Sequence, residues 1–350
     1  MRAWRIQSLL AVFTTVAMAT SGCTRSSSDA PQDGVSADAP RIAFITNGVA
    51  DFWKIGQAGA EAAGREFDAR VTVIMPSGMT DQKRKLEDVL IRGTRGVAIS
   101  PINPDDQTGM INEACAKTHV ITHDSDAPNS DRLAYVGMDN YKAGLMCGQL
   151  VREAIPDGGK VMIFIGRMEQ DNSRRRRQGT IDAILGREPD SSRNDPPGDV
   201  LTSEDGKYQV LGTLTDQFDR AKAKANAADA LSRTPDIACM VGLFEYNPPL
   251  ILEALDRKGA LGKVKVVGFD ENEVTLQGIK DGVIHGTVVQ NPYSYGYESV
   301  RILAGLAHDK TLEELGVPES GFLEMPARVI KADNVEEFWA DLNEKLGRGA

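Results

Sequence analysis

The chain has 350 residues, 41% hydrophobic and 26% charged, with a formal net charge of −10. This is a globular composition, long enough for two lobes with separate cores. The acidic balance counts against nucleic-acid binding, and beyond the N-terminus no apolar run reaches the roughly 18 residues of a membrane span.

Residues 1–5 (MRAWR) form a positive n-region, and 6–18 a short apolar h-region. Ala19-Thr20-Ser21-Gly22-Cys23 follows and resembles a lipobox, with Thr20 a weaker match than the usual Leu. Residues 1–22 are read as a signal peptide and Cys23 as the lipidated first residue of the mature chain. The alternative is an ordinary signal peptide cleaved nearby, with Cys23 a bystander. Residues 23–40, rich in Ser, Asp, Ala and Pro, read as a lipidated disordered tether. The expected location is extracytoplasmic, anchored to a bacterial membrane.

From residue 41 onward, strand and helix patterns alternate. Strands are expected at 41–46, 71–75, 96–100, 119–122 and 133–136, with helices at 51–67, 81–92, 105–117 and 141–154 between or after them. Gly56, Gly59 and Gly64 are expected to allow the first helix close to the sheet. A second series has strands at 160–165, 208–214, 237–241, 264–269 and 285–289. Its helices fall at 173–186, 218–232, 248–258, 271–280, 293–308 and 335–346. Residues 187–207 read as a turn-rich surface insertion. Apolar strands alternating with helices imply parallel sheets covered on both faces. The series is too long for one sheet, and no G-x-G-x-x-G or phosphate loop follows the first strand. The fold class is therefore α/β, with two Rossmann-like lobes of parallel sheets.

Ligands of such sheets lie beyond the C-terminal ends of the strands. The residues found there are Asn47, Asp51, Phe52 and Trp53; Ser100; then His123 to Asp126. The second series adds Asp171, Asn172 and Arg174 to Arg177; Phe218 to Arg220; Phe244 to Asn247; and finally Asp270 and Gln290. Carboxylates accept adjacent hydroxyls, Arg offers a donor fork, Asn and Gln do both, and aromatic rings cover C–H faces. That chemistry suits a neutral sugar or polyol. Four consecutive helical arginines point in all directions, so one or two are expected to reach the cleft, Arg176 among them, and the rest to be solvated. Asp270 has a rival role as helix cap, and Gln290 as a hinge hydrogen-bonder. His119 and His123 lie far apart along a strand with no third ligand nearby, so no metal is expected. Of Cys115, Cys147 and Cys239, one disulfide with one free thiol is open, Cys115–Cys147 included; three buried thiols is the equal alternative.

Several segments together resemble the type I periplasmic sugar-binding proteins of the ribose-binding kind, over roughly residues 41–310. They are IRGTRGVAISPINPD (91–105), VITHDSDAP (120–128), SRRRRQGTIDAI (173–184), QFDRAKA (217–223), VVGFD (266–270) and VVQNP (288–292). The resemblance implies three chain crossings between lobes, near 138–140, 290–293 and 321–328. One lobe would hold 41–138 and 291–322, the other 139–290 and 323–350. It implies ligand contacts from Asp124, Arg176, Phe218, Asp270 and Gln290. To these the strand-end reading adds Asn47, Phe52, Trp53, Ser100, Phe244, Tyr246 and Asn247. Departures fall in the pocket: Ser125 stands where an Arg is common, and Phe244-Glu245 where Asn-Asp is usual.

The implied protein is a monomeric solute-binding lipoprotein of an ABC transporter. It would bind a monosaccharide or polyol, use no cofactor and catalyse nothing, and serve the permease's transmembrane subunits. The alternative within the same cleft is a sensory protein presenting a sugar-like signal to a membrane receptor. A sugar-responsive repressor would need an N-terminal helix-turn-helix where this chain has a signal peptide. A glycosidase built on Asp124, Glu245 and Asp270 finds no support in their spacing.

Overall fold

Strands and helices alternate throughout the residues described by a computed structural model, 34–348. Cys23 and the signal segment lie outside them. The first sheet takes β1 (Arg41–Ile45), β2 (Arg70–Ile74), β3 (Gly96–Ile99), β4 (His119–His123) and β5 (Tyr135–Gly137). Its order is β2-β1-β3-β4-β5, closed at the edge by β12 (Phe322–Glu324), and every pairing is parallel. The second sheet takes β6 (Gly159–Ile165), β8 (Tyr208–Thr215), β9 (Ile237–Gly242), β10 (Lys265–Phe269) and β11 (Gly286–Val289). Its order, β8-β6-β9-β10-β11, repeats that of the first. Two short antiparallel strands, β7 (Leu201–Thr202) on β8 and β13 (Arg328–Ile330) on β11, finish its edges.

Successive residues of one strand serve opposite faces. Ile42 and Phe44 pack under α1 (Asp51–Glu66) and α9 (Pro292–Ala307), whereas Ala43 and Ile45 pack under α2 (Met79–Ile91) and α3 (Pro104–Cys115). Strands buried on both faces account for their unbroken apolar runs. The chain leaves the first sheet after β5 and enters α4 (Asn140–Ala154), which packs on α5 (Asp171–Leu185) beside the second sheet. It returns through α9, which packs on α1. It crosses last between β12 and β13. Leu323 and Glu324, expected in the second lobe, pair with Val136 and Gly137 of the first, because hydrogen bonding to β5 continues to the end of β12.

The two helix pairs use one device. A Cβ added to Gly59 would lie 1.9 Å from the Tyr293 carbonyl oxygen, and one on Gly296 2.0 Å from that of Gly56. In the other lobe, a Cβ on Gly144 would lie 2.1 Å from the Arg176 oxygen, and one on Gly179 2.1 Å from that of Tyr141. Each pair crosses backbone against backbone. Gly59 thus serves a helix contact rather than the expected contact with the sheet.

One other expectation changes. Arg177 is fully buried, not solvated: its guanidinium donates to Thr213 Oγ1 at 2.7 Å and to the carbonyls of Asp195 at 2.7 Å and Pro196 at 3.2 Å. Burial pulls it down to about 10. The 187–207 insertion, on the surface as expected, is stapled to α5 by these bonds. Buried Asp182 accepts from Tyr141 Oη at 2.8 Å and pairs with Arg193 at 2.6 Å. The three described cysteines are all free thiols, Cys147 and Cys239 buried and Cys115 partly so. Among the described residues no helix is long and apolar enough to cross a membrane.

Gly144→Ala is expected to destabilise the fold by about 1–3 kcal/mol in urea unfolding, because overpacking outweighs the helix propensity that Ala adds. Gly109→Ala on α3, with open space around it, is expected to stabilise by up to about 1 kcal/mol.

Candidate functional site

β4 and β10 are the fourth strands of their lobes, and each is followed directly by an aspartate. Asp124 and Asp270 both adopt left-handed backbone, with φ of 59° and 64°, which Asp tolerates better than most residues. Each N–H donates to the fifth strand of its own sheet, Asp124 to Val136 O at 3.1 Å and Asp270 to Val288 O at 2.8 Å. Each carbonyl accepts a hydroxyl from that strand, Tyr135 Oη at 2.8 Å and Thr287 Oγ1 at 2.9 Å. The same local turn therefore aims one carboxylate from each lobe into the space between them.

Asp124 Oδ2 accepts from Asn47 Nδ2 at 3.1 Å, Ser100 Oγ at 3.0 Å and Asn172 Nδ2 at 3.2 Å. Asn172 belongs to α5, so the third bond joins the lobes directly. Asn47 is held in turn by Trp53, whose Nε1 donates to its Oδ1 at 3.1 Å. On the facing lobe, Gln290 Nε2 donates to Asp270 Oδ1 at 2.7 Å, and Tyr295 Oη donates to Gln290 Oε1 at 3.1 Å. Asp270 is not a helix cap: α8 (Glu273–Lys280) is capped by Asn272.

Arg176 is 1% exposed. It donates to Leu243 O at 2.8 Å and to Asn140 Oδ1 at 3.1 and 3.3 Å. Its guanidinium lies 3.9 Å over the Phe269 ring and 3.9 Å from Asp270 Oδ2. Burial pushes Asp124 and Asp270 each up to about 6, with the Arg176 charge and their hydrogen bonds opposing the rise. Burial also raises Glu245 and carries Glu271 well above the carboxylate range.

Aromatic rings complete the walls. Phe218, itself in left-handed backbone at φ 65°, stacks on Phe244 with centroids 5.4 Å apart. Phe52 and Trp53 meet edge to face at 4.9 Å. Buried Asp216 organises this wall: it accepts from Tyr246 Oη at 2.5 Å and Asn247 Nδ2 at 3.1 Å, and Asn247 Oδ1 accepts the Phe244 N–H at 3.1 Å.

These residues enclose one cavity. The space open to the centre of a water is about 50 Å³, and all its atom-free space, mouth included, about 390 Å³. One water needs about 10–15 Å³ of the first measure, so the cavity has room for several waters or one small ring. Asn47, Phe52, Trp53, Asp124, Arg176, Phe218, Phe244, Tyr246, Asp270 and Gln290 line it. Ser100 and Asn247 do not. They stand behind it, on Asp124 and on Phe244 with Asp216, because each side chain is spent on a neighbour. Asn172 and Glu245 line it and were visible at strand ends, and Asp216 carries the same signal directly after β8. Gln170 and Ala50 also line it and carried no signal. His123 lies beneath, stacked on Phe44 at 4.1 Å and pulled down to about 3 by burial, hence neutral.

The description "Periplasmic binding protein domain" matches residues 42–311. The chain belongs to the periplasmic binding protein family, among its type I, ribose-binding-protein-like members, which bind without catalysis. It is 27% identical over 222 residues to the ribose import binding protein RbsB of Salmonella typhimurium, covering 62% of this chain and 67% of that one. It is 22% identical over 327 residues to the D-ribose/D-allose-binding protein of Pseudomonas aeruginosa, covering 88% and 95%. Its fold matches the crystal structure of GanP, a glucose-galactose binding protein from Geobacillus stearothermophilus, with TM-score 0.74 and 24% identity over 85% of this chain and 99% of that one. An Agrobacterium vitis ABC transporter solute-binding protein with bound D-fucose matches as well, with TM-score 0.74 and 24% identity over 86% and 99%.

Asp270→Asn provides a test of the electrostatics. A carboxyl whose folded value is raised from 3.8 to about 6 contributes stability fully present below the unfolded value and lost as pH rises through about 6. The variant is therefore expected to match the parent below pH ~4 and to exceed it by about 3 kcal/mol at pH ~7. Thermal unfolding followed across that range measures the difference.

Proposed function

We propose that this chain is an extracytoplasmic solute-binding protein that captures a monosaccharide or polyol between its lobes and delivers it to the transmembrane subunits of an ABC-type permease. The observation that carries this reading is the convergence of Asp124 and Asp270, one from each lobe, on one open-mouthed cavity shared with Arg176. Asn47, Asp124, Arg176, Asp270 and Gln290 bind ligand hydroxyls and ring oxygen. Phe52, Trp53, Phe218, Phe244 and Tyr246 cover its C–H faces. A ligand that bridges the carboxylates makes bonds to both lobes only when they are closed, and so selects the closed form. The direct Asn172–Asp124 bond and the Arg174–Asp105 pair at 3.6 Å assist the same closure. A buried polar group left unpaired costs about 1–3 kcal/mol, so the mismatched sugar is refused.

Cys23, in this reading, carries the lipid that tethers the protein to a membrane; residues 36–40, expected in a disordered tether, instead pack on the first lobe, where Ser36 donates to Asp68 at 2.6 and 2.7 Å and Ala39 is buried. The support is the short h-region followed by Ala19-Thr20-Ser21-Gly22-Cys23. The names of the relatives, ribose, allose and their kin, support the sugar class.

Thermal unfolding against pentoses, hexoses and polyols tests the proposal. At 100 times its Kd, the cognate ligand is expected to add about 2.7 kcal/mol of stability. That gain is expected to vanish in Asp124→Ala and Asp270→Ala. A panel with no shift anywhere would sink the sugar-importer reading.

A further inference from the structure

Charge around the cavity does not balance. Among its lining side chains, Asp124, Glu245 and Asp270 are acidic, and Arg176 is the single base. Arg176 gives limited relief. Three of its five donors are engaged with Asn140 Oδ1 and Leu243 O, and it approaches Asp270 no nearer than 3.9 Å. A neutral sugar brings hydroxyl donors to these carboxylates but no charge.

Glu245 shows where the missing charge belongs. It is 3% exposed and lines the cavity. Its Oε1 accepts from Asn272 Nδ2, whereas its Oε2 is buried with no hydrogen-bond partner. The nearest cation, Arg220, stands 4.0 Å from that oxygen and is itself 57% exposed, lying over the Tyr246 ring. The other charged groups acting on Glu245 are Asp270 and Asp51, both acidic. A buried carboxylate oxygen calls for a donor. The rings of Phe244 and Tyr246 on this wall already carry Arg176 and Arg220 at 5.7 Å each, so this wall accommodates cations.

We infer that the ligand carries a protonated amine beside its hydroxyls, as an amino sugar or aminopolyol does, and that Glu245 receives the ammonium. This rests on the sugar-binding reading above and narrows it. The ammonium donates to Glu245 Oε2, while the hydroxyls engage Asp124 and Asp270 as a neutral sugar's would.

Isothermal titration of the purified full chain near neutral pH decides it. The probes are D-glucosamine, D-galactosamine and 1-amino-1-deoxy-D-sorbitol, each against D-glucose, D-galactose and sorbitol. At least one amine is expected to bind about tenfold or more tightly than its hydroxyl parent. Glu245→Gln is expected to bring that ratio close to one, and Glu245→Asp to retain most of it. Asn272→Ala, which removes the structural partner of Glu245 and the α8 cap but no acid, is expected to keep the ratio. Parent sugars binding as tightly as every amine would overturn the inference and leave the sugar-binding reading standing. Failure of both classes would overturn both. An amine preference that survives Glu245→Gln would overturn the assignment to Glu245. If that variant does not fold, the parent chain's own ratio and the Glu245→Asp result still decide.

Discussion

Burial of Arg176 is the condition on which the cleft depends. A guanidinium can leave water only if its donors are satisfied and acids lie near. Asn140 and the Leu243 carbonyl take the donors, Phe269 takes the face, and Asp270 and Asp124 supply the charge. That position in turn requires α5 to press against α4, where the Arg176 carbonyl occupies the space a Gly144 side chain would fill. Gly179 repeats the requirement from the other helix. Two glycines thus set the depth of the arginine, and the arginine offsets the cost of burying two aspartates.

Both lobes solve the same problem in the same way. They share one strand order, one left-handed aspartate after the fourth strand, and one pair of helices crossing through glycines. Each helix pair contains the helix that has just crossed from the other lobe, α4 after β5 and α9 after β11. The crossings therefore do more than connect: they place Asn140 beside Arg176 and Tyr295 beside Gln290. The lobes differ in their walls. The second supplies Phe218, Phe244 and Tyr246 arranged around Asp216, and the first supplies Phe52 and Trp53 braced on Asn47.

Much of this was legible in the chain itself. Alternating apolar strands and amphipathic helices define the lobes, because a strand buried on both faces must be apolar throughout. Asp124, Asp270 and Gln290 were visible because a polar residue that ends such a run faces the crevice. The edge strands were not visible: β7, β12 and β13 have two or three residues each, too few to show a period, and they exist only as partners of β8, β5 and β11. Ser100 and Asn247 were placed correctly at strand ends, yet each spends its side chain on a neighbour that local sequence does not reveal.

The sequence by itself determined the elements, their parallel class and the polar strand ends, since these follow from the local periodicity of burial. The motif resemblance singled out Arg176, but tertiary structure alone decided that Arg177 is buried as well. Arg176 points to the cleft and Arg177 points away to anchor the insertion, both fully buried, while Arg174 and Arg175 stay partly solvated. One helix turn holds all four, and only the surfaces packed around that turn distinguish them. The same holds for Glu245, whose unpaired oxygen exists because burial, not sequence, removed its water.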